Sequence, residues 1–541
     1  MAKRWESDRS ATVCRRVLTG FMDFFRMNAA YQRNQNCLNP LKPVKTGLNR
    51  QRVEVPDWNG GEARDTCASA SVKVSFCAVN VLRAISTFAK PTGCFSAWLC
   101  LVALFSAVCV HQAIAATNQP NIIFLLTDDM GYGDVACYGG DFVPTPNIDR
   151  LAAEGTKFTQ FYVASPVCSP SRTAFTTGMY PARWRITNYL QTRAGNRKSE
   201  QVDFLDPKAP SIARTLKEAG YATGHFGKWH MGGGRDVTNA PPFREYGFDE
   251  HAGTYESPEP DPNITATNWI FSAHDKVKRW DRSGYFVDKT LDFLRRHQGQ
   301  PCYVNLWPDD VHTPWVPEGG DLERRRKEND ESAPNFKAVL REYDKQVGRL
   351  IAGLKELGIE TNTILVFSSD NGPLPTFHGK RAGGLRGSKI SLYEGGDREP
   401  LIVRWPGHVP AGRVDTNTVV SAVDFFPMFC KLTDTPLPKA AFDGEDLSAS
   451  FFGQSLTRRD PLFWEYGRNN FAFGYPGPHD RSPNVAMREG KWKLLVNADG
   501  SGVELYDLDA DRSETHNLAD AYPEVAKRLT EAALQWRKSL P

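Results

Sequence analysis

The chain has 541 residues, 24% charged and 40% hydrophobic, the composition of a soluble globular protein with room for more than one folding unit. Its net charge of +3 hides an asymmetry: residues 1–115 carry 15 Lys and Arg against 7 Asp and Glu, and the remainder 51 against 56. The body therefore lacks the basic excess that grips nucleic acid by charge, and nucleic acid is excluded as a partner. Only Cys137, Cys168, Cys302 and Cys430 lie beyond residue 115, with no C-x-x-C pair, which excludes a disulfide framework and argues against structural zinc.

In chain order, the first apolar segment is CFSAWLCLVALFSAVCV, from Cys94 to Val110, preceded by Arg83 and Lys90 and followed by Ala113-Ile114-Ala115. A basic flank, an apolar stretch short for a span and an A-x-A site predict a signal peptide over residues 94–115. The mature product is then exported, periplasmic or extracellular, and keeps no stable membrane span after cleavage. Residues 1–93 form an atypical extension without hydrophobic period, and a start near Val79 or Val81 is expected.

From Asn121 apolar strands alternate with helical periodicity. NIIFLL reads as a buried strand, PNIDRLAAEG and PSIARTLKEAG as helices, and YATGHFGK and PCYVNLW as strands. FKAVLREYDKQVGRLIAGLKELG is a long amphipathic helix, NTILVFSSD another buried strand, and LIVRW and a helix around VDFFPMFCKL follow. Strands apolar on both faces and separated by helices predict an α/β fold whose mainly parallel central sheet is flanked by helices, spanning 116–445. Over 446–541 the short alternating runs NVAMREG, KWKLLVNA and VELYDL predict a smaller antiparallel sheet, closed by a terminal helix from YPEVAKRLTEAALQWRKSL.

Asp128 and Asp129 follow NIIFLLT directly, and Asp370-Asn371-Gly372 follow ILVFSS in the same way. Adjacent side chains converge only where a strand has ended, and parallel strand ends share one edge, the usual place of a ligand cleft. Three carboxylates and an amide suit a hard divalent cation, calcium or magnesium. Either pair alone also reads as a helix cap or turn. Cys168 opens the run CSPSR, at the start of a helix whose free N–H groups attract anions, and Arg172 shares its face four residues on. A cap cysteine with a surface arginine, or a thiolate hydrolase, are the other readings.

C-S-P-S-R resembles the sulfatase signature C-x-P-S-R. LLTDDMGYGDVACYGG, TPNIDRLAAEGTKFTQFY, AGYATGHFGKWHMG, SSDNG, RGSKISLYEGGDREP and LYDLDADRSETHNLAD are similar, in family order, to segments of type I sulfatases of the alkaline-phosphatase superfamily. The resemblance runs from about Gln119 to the C terminus. It implies an alkaline-phosphatase-like fold, a Ca2+ ion held by Asp128, Asp129, Asp370 and Asn371, and formylglycine (3-oxoalanine) made from Cys168 by a dedicated maturation enzyme, with an oxygen of that residue completing the metal site. It further implies Arg172 steadying the nucleophile, Lys228 and Lys389 on the sulfate, His230 as a base, and His312 or Lys389 as the acid on the departing alcohol. Asp370 is the implied acceptor of the attacking hydroxyl's proton.

The residue types suit that chemistry, because the oxygens of a sulfate ester repel a nucleophile and cationic groups must offset the charge that builds up. The expected function is an exported, calcium-dependent sulfuric ester hydrolase acting on a sulfated carbohydrate or a small aryl or alkyl sulfate. A phosphodiesterase or phosphonate hydrolase of the same superfamily, or an inactive sulfated-glycan binding protein, are the alternatives. Loops 184–206 and 231–280, with Trp184, Tyr189, Arg193, Arg197, Trp269 and Trp280, are expected to read the rest of the substrate or to pack locally.

Overall fold

A computed structural model describes residues 119–264, 271–320, 332–469, 471 and 481–541. The signal segment and the extension before it lie outside these residues, as does Trp269.

The central sheet has nine strands: β1 Asn121–Thr127, β2 Thr156–Tyr162, β3 Ala222–Gly227, β4 Glu250–Gly253, β5 Cys302–Trp307, β6 Thr363–Ser369, β7 Arg398–Arg404, β8 Arg413–Asp415 and β9 Val420–Ser421. Their order is β4-β3-β5-β1-β6-β7-β2-β8, with β9 also on β2. All neighbours are parallel except β7, which runs antiparallel to both β6 and β2. The expected mainly parallel sheet is therefore present, with one reversed strand inside it.

The apolar run of β1 follows from burial on both faces. Ile122, Phe124 and Leu126 enter one core with α2 (Cys168–Thr177), α3 (Ile212–Glu218) and α6 (Phe425–Leu432). Ile123 and Leu125 enter the opposite core with α1 (Pro146–Ala153), α4 (Arg282–Arg296) and α5 (Ala333–Glu356). A residue period of two on a doubly covered strand leaves no position for a polar side chain. The long helix α5 begins at a Ser332 side chain that accepts the Asn335 amide, followed by Pro334 in its first turn.

A second sheet, β10 Leu462–Glu465, β11 Val485–Glu489, β12 Trp492–Val496 and β13 Glu504–Asp507, is antiparallel throughout. One face takes Ala526, Leu529 and Ala533 of α7 (Pro523–Lys538). The other packs Ala486, Leu495 and Tyr506 on Tyr162, Val167, Leu392 and Tyr393, the chain that flanks Cys168 and follows Lys389. The second sheet thus backs two segments of the candidate site.

Candidate active site

β1 and β6 pair in register to their last residues, Thr127 opposite Ser369, so both acidic pairs leave the sheet side by side. The Asp370 amide donates to the Thr127 carbonyl at 3.1 Å and Met130 N to Ser369 Oγ at 3.0 Å, tying the two exits together. Asp129 takes a left-handed φ of 59°, which lets successive carboxylates turn inward after the strand ends.

Around these ends the sequence-derived residues gather. Cys168 is the first residue of α2, which stops at Gly178 (φ 67°) with the Gly178 amide on the Ala174 carbonyl. Its Sγ lies 3.6 Å from Asp128 Oδ1, 4.0 Å from Asp129 Oδ1 and 3.4 Å from Lys228 Nζ. One turn on, the Arg172 guanidinium spans the cluster: Nε and Nη2 reach Asp370 Oδ2 at 2.9 and 2.7 Å, Nη2 reaches Asp128 Oδ1 at 3.2 Å and Nη1 donates to the Lys228 carbonyl at 2.8 Å. Lys228 Nζ sits 3.0 and 2.8 Å from the two Asp128 oxygens, and Lys389 Nζ 2.6 and 2.7 Å from those of Asp129.

Gly227 delivers Lys228. Its φ is 130°, and a Cβ there would fall 1.9 Å from the Trp307 carbonyl oxygen, which accepts the Lys228 amide at 2.7 Å. Lys389 is set by its amide on the Pro373 carbonyl, and Ile390 by its own on Pro166, each at 2.7 Å. His312 lies at the edge, its side chain 24% exposed, with Nε2 3.5 Å from Asp129 Oδ2 and Nδ1 2.6 Å from the Thr313 carbonyl. His230 stands apart from the carboxylates: Nε2 meets the Leu190 carbonyl at 3.0 Å and Glu256 at 3.4 Å, while Nδ1 is buried without a partner.

Electrostatics fit a site built for anions. Burial pushes the Asp128 and Asp129 carboxyls up, yet Lys228 and Lys389 respectively, with His312, outweigh it and hold both below the usual range. Asp370 goes the other way, to about 6, because burial and its carboxylate neighbours exceed the pull of Arg172. Burial also pushes the Cys168 thiol well up, despite Lys228 and Lys389, so a thiolate nucleophile is disfavoured here.

One ligand atom from each of Asp128, Asp129, Cys168 and Asp370 lies within 4.8 Å of the others. Ligands about 2.4 Å from a shared calcium ion stand at most about 4.8 Å apart, so the span fits such an ion. Asn371 donates through Nδ2 to Asp129 at 2.8 Å and leaves Oδ1 buried without a partner, an oxygen available as a further ligand. Apart from the Cys168 sulfur the donors are hard oxygens, as calcium requires.

Several supporting residues were not singled out in the sequence. Arg279 reaches Asp310 Oδ1 at 2.8 Å and the His312 carbonyl at 3.2 Å, Arg282 holds Asp309 at 2.7 Å, and the Asp310 carbonyl accepts the Asp128 amide at 3.1 Å. Buried arginines a few residues before and within α4 thus hold the loop that carries His312. Of the loop residues expected at the substrate, Trp184 packs on the core, Trp280 packs with Phe271 and Val316, and Arg193 pairs with Asp203 at 2.8 Å. Tyr189 remains 40% exposed, next to the Leu190 carbonyl that holds His230.

Comparison with known proteins identifies the family. The sequence model of the Sulfatase family matches residues 120–435, and that of the N-sulphoglucosamine sulphohydrolase C-terminal region matches 388–539. The chain is 30% identical over 501 residues to N-acetylgalactosamine-6-O-sulfatase of Bacteroides thetaiotaomicron, covering 77% of this chain and 92% of that one. It is 31% identical to arylsulfatase A of Homo sapiens, covering 78% and 88%. A solved structure from work on the metabolism of multiple glycosaminoglycans by B. thetaiotaomicron superimposes with a TM-score of 0.63 at 27% identity, covering 78% of this chain and all of that one. Ps i-CgsB in complex with k-i-k-neocarrahexaose gives 0.63 at 26% identity, covering 77% and 93%.

Proposed function

This chain belongs to the sulfatase family of sulfuric ester hydrolases, and from that premise we propose that it is an exported, calcium-dependent enzyme removing sulfate from a sulfated carbohydrate through a formylglycine made from Cys168. The observation that carries the reading is the convergence of Cys168, two lysines and Arg172 on three buried carboxylates at the ends of β1 and β6. Its relatives named for N-acetylgalactosamine-6-sulfate and the neighbour bound to a carrahexaose support the carbohydrate class.

Asp128, Asp129, Asp370 and Asn371 would hold Ca2+, which when bound supplies positive charge to the sulfate oxygens. A formylglycine at 168 would supply an oxygen nucleophile in place of sulfur, consistent with a thiol that burial keeps protonated. The dedicated maturation enzyme is the partner this requires.

The remaining roles belong to side chains of the chain itself. Lys228 and Lys389, charged and held at the carboxylates, pair with the outer oxygens of a bound sulfate and offset the charge that grows in the transition state. Arg172 fixes Asp370 and Asp128 relative to residue 168, and Asp370 accepts the attacking hydroxyl's proton. On the leaving side Lys389 holds a proton outright, and His312 presents Nε2 because its Nδ1 is committed to Thr313. His230 accepts a second proton when sulfate departs.

In the organisation we propose, 116–445 is the catalytic domain, 446–541 a C-terminal α+β subdomain and 94–115 the export signal. Among the described residues no helix is long and apolar enough to cross a membrane. The test is release of inorganic sulfate from a panel of 6-O-, 4-O- and 2-O-sulfated saccharides, set against the matching phosphate esters. Sulfate release that vanishes in Cys168→Ala supports the reading; faster turnover of the phosphate esters, or none of either, overturns it.

A further inference from the structure

Glu256 stands beside His230 with no part in the chemistry above. It lies in the loop after β4, is 8% exposed and is held from three sides. Arg235 Nη2 and the Tyr255 hydroxyl donate to its Oε1 at 2.7 and 3.1 Å, its carbonyl accepts the His230 amide at 2.9 Å, and its Oε2 faces His230 Nε2 at 3.4 Å. The glycine run 232–234 makes this enclosure possible. All three residues have positive φ, and a Cβ at Gly233 or Gly234 would fall 2.3 Å from Ser257 C or 2.2 Å from the Tyr255 carbonyl oxygen. Only a chain without side chains there can lie against 255–257 and bring His230 and Arg235 onto the same carboxylate.

Both groups that face Nε2, the Leu190 carbonyl at 3.0 Å and the Glu256 carboxylate, accept hydrogen bonds and donate none. The Arg235 and Lys228 charges and the Arg235 hydrogen bond act against burial and keep Glu256 ionised, while burial draws His230 down to about 3 and so keeps the ring neutral. A neutral imidazole has one ring proton, and two acceptors fix it on Nε2. The lone pair is then on Nδ1, the buried nitrogen without a partner.

We infer that Glu256 is a positioning residue for His230: together with the Leu190 carbonyl it fixes the Nε2-protonated tautomer, so that Nδ1 is the atom that takes the reacting proton. The inference rests on the sulfatase reading for its catalytic consequence, but its structural content does not. In the step, the hydroxyl O–H bond breaks, its proton joins the Nδ1 lone pair, the bonding electrons stay on oxygen, and the resulting imidazolium faces the Glu256 charge.

Glu256→Gln gives the test its sharpness. Arg235 and Tyr255 both donate to Oε1, so the amide oxygen takes that place and the NH2 turns to Nε2, a donor against a donor. The ring is pushed toward Nδ1 protonation and loses its base. The measurement is 15N NMR of histidine-labelled protein without substrate, the His230 signal being the one lost in His230→Asn. The wild type is expected as the Nε2-protonated tautomer and Glu256→Gln as a shift toward Nδ1 protonation. On a sulfated substrate kcat falls by roughly 10²-fold or more with KM little changed, the size of a lost general base, and Glu256→Asp recovers part of it. An Nδ1-protonated wild type, or a Glu256→Gln enzyme with unchanged kcat, overturns the inference. The wild-type spectrum needs no variant, so it decides the matter even if Glu256→Gln fails to fold. A chain that hydrolyses no sulfate ester yet shows the expected tautomers sinks the sulfatase reading and leaves the positioning role standing.

Discussion

Lys493→Met tests how the second sheet is fastened to the site. Lys493, fully buried on β12, places Nζ 2.9 Å from Glu394 Oε1 and 3.2 Å from Glu514 Oε1, and Glu394 lies five residues past Lys389. Glu394 keeps Tyr162 at 2.7 Å and Arg398 at 3.2 Å in the variant, whereas Glu514 keeps the Glu394 amide at 2.6 Å. Removing one member of a buried ion pair costs about 3–5 kcal/mol because the other charge is left behind. With an unfolding entropy near 2 cal/mol/K per residue over about 400 residues, that lowers Tm by roughly 4–6 °C. The pH dependence has a definite sign. Lys493 and Arg398 overcome burial to hold Glu394 down at about 2, a stabilisation present above its unfolded pKa and weakened once Lys493 is gone and only the arginines remain. Burial already raises Glu514 to about 7 against the pull of Lys493, and its carboxyl rises further in the variant. The deficit is therefore greatest at pH 8 and narrows toward pH 5 as the carboxyls take protons. Scanning calorimetry of both proteins at pH 5, 6.5 and 8 measures it. A loss under 1 °C at pH 8, or a larger loss at pH 5, would refute the reasoning.

Three further outcomes are expected. His225 is fully buried among Trp229, Phe243, Phe248 and Trp307 with neither ring nitrogen partnered, and burial holds it neutral, well below its usual pKa. A lowered histidine pKa costs stability as pH falls below about 6.5, so from pH 7 to 5 His225→Phe should gain about 2 kcal/mol on the wild type in denaturant melts. Chelation should abolish sulfate release, and restoring Ca2+ at about 100 times its Kd should raise stability by about 2.7 kcal/mol, read as a Tm increase with recovered activity. Arg172→Lys keeps the charge but loses the fork onto Asp370 and Asp128; kcat/KM should fall by at least roughly 10-fold, the worth of about 1.4 kcal/mol, in steady-state assays.

Much of the fold was legible because the central strands are buried on both faces: β1 and β6 are nearly uninterrupted apolar runs, and the acidic pairs that follow them signal the strand ends. β2 has no clear strand signal, since TKFTQFY mixes polar and apolar residues where the sheet is only partly covered and carries a register irregularity. Helix α4 had a readable signal in Phe286, Val287, Phe293 and Leu294, one face of a helix, that long polar stretches on either side obscured. β10 is four residues long and its partner lies some twenty residues on, so the expected three-strand meander gained a strand. In the site, residues inside ordered motifs were legible by resemblance. Glu256, Arg235, Arg279 and Arg282 were not, because their meaning lies in partners distant along the chain and no spacing rule marks a carboxylate that will face a histidine.

The most direct measurement is the mass of the tryptic peptide containing residue 168, from protein purified from its native source and shown to release sulfate. The expected result is a side chain that has lost the thiol mass, matches an aldehyde and shifts again with a carbonyl-trapping hydrazide. An intact Cys168 in protein that turns over sulfate esters would contradict the proposed nucleophile, and with it the role given to the carboxylates and lysines gathered around it.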